Sequence, residues 1–112
     1  MRTFYIIAGE LTIDDCDLIF IGEGLATMVS WYIVMNEYFE GKNYCCIVAF
    51  DVGNIESALC VIWNKYPNKH ITLIADNDCG AEINIGVNTC NKIKAKYCNK
   101  PIEVFIPIGQ IL

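Results

Sequence analysis

Four short apolar runs, "LIFI" at 18–21, "CCIVAF" at 45–50, "ITLIA" at 71–75 and "IEVFIP" at 102–107, set what this chain can fold into. They show little polar alternation, so as strands they must be covered on both faces. The segments between them are helix-sized. "GLATMVSWYIVMNEYF" (24–39) is too long for a strand and stops before Gly41, a natural helix terminator. Asn54 is a good N-cap candidate for "IESALCVIWNKY", which spaces Ile55, Leu59 and Ile62 along one helical face before Pro67. A third helix is expected over about 81–97. Strand, helix, strand, helix, strand, helix, strand predicts an α/β fold: a mainly parallel four-stranded sheet flanked by helices, with right-handed crossovers. The opening "FYIIA" (4–8) adds an N-terminal edge strand, read as a hairpin partner turning at Gly9.

At 112 residues the chain supports one domain, with a motif-bearing core over about 18–107. With 54% hydrophobic and 19% charged residues it is globular rather than disordered. No apolar run reaches membrane-span length and no signal peptide opens the chain, so the expectation is a soluble, cytoplasmic protein. Its seven cysteines are odd in number, include no CxxC pair and several sit in apolar segments. They read as buried free thiols rather than a disulfide framework or a zinc site. The only histidine, His70, reads as a strand-start residue. A net charge of -5 argues against strong nonspecific nucleic-acid binding by this chain alone. Four of its eight basic residues, Lys92, Lys94, Lys96 and Lys100, nevertheless cluster near the C-terminus, as a solvated helix face or a phosphate-contacting patch.

In a parallel sheet of this kind, sites form where the C-terminal ends of strands meet the following loops. Those ends read Gly22-Glu23-Gly24, Asp51-Val52-Gly53-Asn54 and Asp76-Asn77-Asp78. The flanking glycines let a ligand approach Glu23 closely, although an acid at a helix start has the same appearance. Asp76 and Asp78 repel each other unless a cation lies between them, and their oxygens suit a hard cation such as Mg²⁺ or Mn²⁺. The alternative is a solvated Asx turn.

The stretches "LIFIGEGLATMVS", "IVAFDVGN" and "ITLIADNDCGAEINIG" resemble, in order and spacing, the Toprim domain of phage- and plasmid-type DNA primases. The likeness covers roughly residues 18–107, with strand-E-G followed about fifty positions later by strand-D-x-D. The resemblance implies a Toprim, Rossmann-like fold and Mg²⁺-dependent nucleotidyl transfer that makes RNA primers. It casts Glu23, Asp76 and Asp78 as catalytic and metal-site residues, and Gly22, Gly24, Asn54, Asn84 and Gly86 as structural or substrate-facing. Glu82 is either a further ligand or a helix-start residue. Implied partners are single-stranded DNA template, nucleoside triphosphates and other primase or helicase domains. The alternatives are a Toprim-type metal-dependent nuclease, which would use the same acids for hydrolysis, or a non-catalytic Toprim or receiver-like interaction domain.

Overall fold

A strand apolar along its whole length buries both faces only if helices pack above and below the sheet, and the computed structural model has that form. It describes residues 5–6, 16–38, 43–75 and 85–106. The elements are β1 (Tyr5–Ile6), β2 (Leu18–Gly22), α1 (Leu25–Tyr38), β3 (Tyr44–Val48), α2 (Val52–Lys65), β4 (His70–Ile74), α3 (Ile85–Lys96) and β5 (Ile102–Phe105). The sheet order is β1-β3-β2-β4-β5, with β3, β2, β4 and β5 mutually parallel. This is a Rossmann-like α/β arrangement. The expected N-terminal strand is present at the sheet edge, but it pairs antiparallel with β3, Tyr5 opposite Val48, rather than forming a hairpin with β2. Two flanking parallel strands already occupy both sides of β2, which leaves β3 as the open edge.

Side-chain alternation along the strands divides the core into two layers. On one face Phe20, Tyr44, Cys46, Val48 and Ile74 pack against Met28, Trp31 and Met35 of α1. On the other, Ile19, Ile21, Ile47, Ile71 and Leu73 meet Ile55, Leu59 and Ile62 of α2 and Cys90 and Ile93 of α3. Each such fully buried aliphatic side chain contributes about 1.5–3 kcal/mol by leaving water. α1 is apolar on all sides, so besides its buried row it exposes Leu25, Val29 and Ile33. Among the described residues no helix is long and apolar enough to cross a membrane.

Two local expectations are corrected. The N-cap of α2 is Asp51, not Asn54: Asp51 is extended (φ -151, ψ 164) and its Oδ1 accepts from the Asn54 amide at 3.2 Å. Asp and Asn cap equally well, and the extended backbone at Asp51 decides between them. The cysteines are not all free thiols, since Cys16 and Cys45 are paired as a disulfide across 29 positions. The pairing of β2 with β3 brings these two together, and sequence spacing carries no trace of it. Cys46 and Cys90 are free and buried as expected, whereas Cys60 and Cys98 are free and exposed. His70 does begin β4.

Candidate functional site

The chain leaves β2 for β3 on one side and returns past β2 to β4 on the other, so strand order reverses between β2 and β4. In open α/β sheets the loops at such a reversal diverge to opposite faces and leave a crevice at the C-terminal strand ends. Glu23 stands on one wall of that crevice, directly after β2. The other wall is the end of β4, where Gly22 is in register with Ile74 and the Ala75 amide donates to Phe105 O at 3.0 Å. Adjacent strands run about 4.8 Å apart, so the crevice is one strand spacing wide at its base. Asp76 is the next residue in sequence; Asp76, Asp78, Glu82 and Asn84 lie outside the described residues, as do Cys79 and Gly9.

The backbone around Glu23 is held by three hydrogen bonds. Gly22 O accepts from Ala49 N at 2.8 Å, Glu23 O from Phe50 N at 2.9 Å, and Gly24 O from Met28 N at 3.0 Å, the last closing the first turn of α1. Gly22 has a packing reason to be glycine: a Cβ there would run into Met28 Sδ and lie 3.1 Å from Ile74 O. Met28 is fully buried at that spot. Half-buried Glu23 is therefore carried by a backbone braced from both the β3 and α1 sides.

On the far side of Glu23 from β4 lies the turn from β3 into α2. Asp51 spends its carboxylate on the α2 cap, and Asn54, from the first turn, donates Nδ2 to Ala49 O at 2.8 Å. Asn54 thus ties the helix to the strand end beside Glu23. Two residues that sequence reading passed over belong here. Met28 roofs Gly22, and Phe50 has a left-handed backbone (φ 70) with its ring half exposed at the site's rim. No sequence signal marks Phe50, because non-glycine residues adopt positive φ only when their surroundings impose it.

The carboxylates described at this edge are those of Glu23 and Asp51, the latter capping α2; carboxylate oxygens are the donors that hard cations prefer. Among the described residues no three His, Cys, Asp or Glu side chains converge. The lysine cluster is only partly available for phosphate, since Lys94 Nζ lies 3.5 Å from Glu103 and Lys96 Nζ 2.9 Å from Glu56. Burial dominates the shift that holds the Tyr97 hydroxyl above its ordinary range, helped by hydrogen bonds with Cys60 and Glu56.

The chain is similar to part of a DNA primase. It is 26% identical over 99 residues to DNA primase TraC of Escherichia coli, a match covering 88% of this chain and 9% of that primase. The chain thus spans about a tenth of the length of this relative. No protein-family model matches it, and no solved structure matches it.

Proposed function

We propose that this chain is the nucleotidyl-transfer module of a DNA primase of the Toprim type, with Glu23, Asp76 and Asp78 holding Mg²⁺ or Mn²⁺ at the crevice between β2 and β4. The observation that carries the reading is the position of Glu23. It sits where strand order reverses, beside the strand whose sequence continues into Asp76 and Asp78, in a chain similar to part of a primase.

The reaction joins a hydroxyl oxygen at the primer end to the α-phosphorus of a nucleoside triphosphate. The bond to the bridging oxygen breaks, pyrophosphate leaves, and the hydroxyl proton passes to a general base or to water. When bound, the metal neutralises charge on the attacking and leaving oxygens. Glu23 is the acid/base or metal-site carboxylate, on a backbone that the bonds to Phe50 and Met28 keep from moving. Gly24 leaves the approach to it free of a side chain. Asn54 fixes the neighbouring turn, and this reading gives Asn84 a structural or substrate-binding role. Template strand, nucleoside triphosphates and companion primase or helicase domains are the partners this reading implies.

In the natural protein carrying this sequence, Asp78→Asn should suppress primer synthesis about a hundredfold or more with unchanged circular dichroism. NMR titration with Mn²⁺ should broaden Glu23, Asp76 and Asp78 together, at millimolar affinity, about 4 kcal/mol. Primer synthesis undiminished by Asp78→Asn refutes the reading. Efficient metal-dependent strand cleavage in place of synthesis transfers the site to hydrolysis.

A further inference from the structure

The opposite edge of the sheet, where the parallel strands begin, carries a second concave surface. A cavity of about 500 Å³, open to solvent, lies between the end of α2 and the starts of β2 and β4; Asp17, Lys65, Tyr66, Asn68, Lys69 and His70 line it. Five-residue strands separate it from Glu23 by about 15 Å. It shares no residue with the site described above.

Its chemistry is cationic and organised around one ring. Lys65 Nζ lies over the Tyr66 ring at 5.4 Å from the centroid and Lys69 Nζ at 5.3 Å, so a single aromatic side chain orients both ammoniums. Lys69 Nζ also donates to Cys16 O at 2.7 Å, and its own carbonyl accepts from Trp63 Nε1 at 2.9 Å, which fixes the residue at both ends. Lys65 makes no ion pair among the described residues, in contrast to Lys94 and Lys96. His70 Nδ1 is buried with no hydrogen-bond partner among them. Asp17 sets one carboxylate against these groups. Complementing the C-terminal dipole of α2 would account for Lys65 alone; it accounts neither for the cavity nor for the second ammonium held over the same ring.

We propose that this cavity is a docking site for the backbone of a single-stranded nucleic acid, with consecutive phosphates on Lys65 and Lys69, and with the Asn68 amide completing the contacts. Two ammoniums held by one ring are grouped to meet the phosphates of one strand, and an aromatic ring beside cations is a common element of surfaces that bind single strands. The choice of a nucleic-acid strand as the ligand rests on the primase reading; the cavity and its charges do not.

The test is an NMR titration of the 112-residue chain with a short oligothymidylate in metal-free buffer, repeated over a range of salt. Amides of Asp17 and Lys65 to His70 should shift, while those of Gly22 to Gly24 stay put. Affinity should fall with salt with a log–log slope of about -1 to -2, as two or three phosphates are neutralised. Lys65→Ala should reduce that slope by about 0.7 and weaken binding, whereas Lys92→Ala, an equal charge change on exposed α3 surface, should do neither. Tyr66→Leu should weaken binding about fivefold to tenfold with the lysines still present. Equal effects of Lys65→Ala and Lys92→Ala would overturn the site, leaving only diffuse electrostatics. Matching shifts with inorganic triphosphate at equal phosphate concentration would overturn the strand in favour of a lone phosphate group. If these amides do not move while Asp78→Asn still abolishes primer synthesis, the docking site falls and the primase reading stands. If they move and Asp78→Asn is harmless, the reverse holds.

Discussion

Phe50 donates its backbone amide to the carbonyl oxygen of Glu23 at 2.9 Å while its own φ is 70, so the residue bracing the candidate catalytic carboxylate does so from a strained conformation. A positive φ costs a non-glycine residue roughly 1–2 kcal/mol, and a β-branched residue more. Phe50→Gly should therefore leave stability within about 1 kcal/mol of the parent, relief of strain offsetting the glycine entropy cost and the lost burial of a half-exposed ring. Phe50→Val should be less stable than Phe50→Gly by about 1–2 kcal/mol. Urea denaturation of the two variants compares them directly, and equal midpoints would remove the strain argument.

Gly22→Ala places a methyl group against Met28 Sδ and within 3.1 Å of Ile74 O. The side chain of Met28 is fully buried and has little room to retreat. A loss of about 1–3 kcal/mol is expected. Shortening the neighbour in Gly22→Ala/Met28→Ala should cost less than the sum of the single changes, which a double-mutant cycle in thermal unfolding measures.

Asp51→Ala removes the cap of α2 and should destabilise the chain by about 1 kcal/mol. Asn54→Ala leaves the cap acceptor in place and deletes only the Nδ2 bond to Ala49 O. Its signature should be faster hydrogen exchange at the β3–α2 turn, with the far end of α2 at Ile62 to Lys65 unchanged.

Glu56 joins α2 to α3 by accepting from both Lys96 Nζ at 2.9 Å and Tyr97 Oη at 3.0 Å. The lysine is largely exposed, so its share is small. Tyr97 also packs its ring 5.7 Å from that of Trp63. Glu56→Ala and Tyr97→Phe should each cost about 1 kcal/mol, and Lys96→Ala less than either. Chemical denaturation ranks the three.

The Cys46 thiol is buried on the α1 side of the sheet, and that burial pushes its pKa up to about 12 from an ordinary 9.0. In the unfolded chain this thiol ionises as pH passes about 9, while the folded state holds its proton until about 12. Folding free energy contributed by the neutral thiol is therefore intact below pH 9 and declines between 9 and 12. Tyr44, raised chiefly by burial, and Tyr97 act in the same direction. Urea midpoints should fall from pH 8.5 to pH 11, and Cys46→Ala should flatten that fall.

The strands and their alternation with helices were legible because runs such as "LIFI" and "ITLIA" admit few other readings once their lengths are fixed. The order of the strands was not, since it depends on the side to which each crossover swings. The Asp51 cap was missed by three positions because Asp and Asn are equally good caps and only the backbone separates them. Cys16 and Cys45 meet through the β2–β3 pairing, a contact with no local signal. At the site, Glu23 follows β2 at the C-terminal strand edge, beside the end of β4, whereas Asp76 and Asp78, expected to join it there, lie outside the described residues. Phe50 could not be foreseen, for its conformation is imposed by the tertiary bond to Glu23 rather than by its neighbours in sequence.

The parallel pairing of β2 also governs how quickly the chain reaches its native state. Leu18 is in register with Tyr44 on one side and His70 on the other, partners 26 and 52 positions further along the chain. Helical turns form within about a microsecond, but the central strand gains its hydrogen bonds only after those long loops close. During synthesis, β2 leaves the ribosome as an apolar segment with no strand to pair with, and it stays so until residues 44–48 and then 70–74 have emerged.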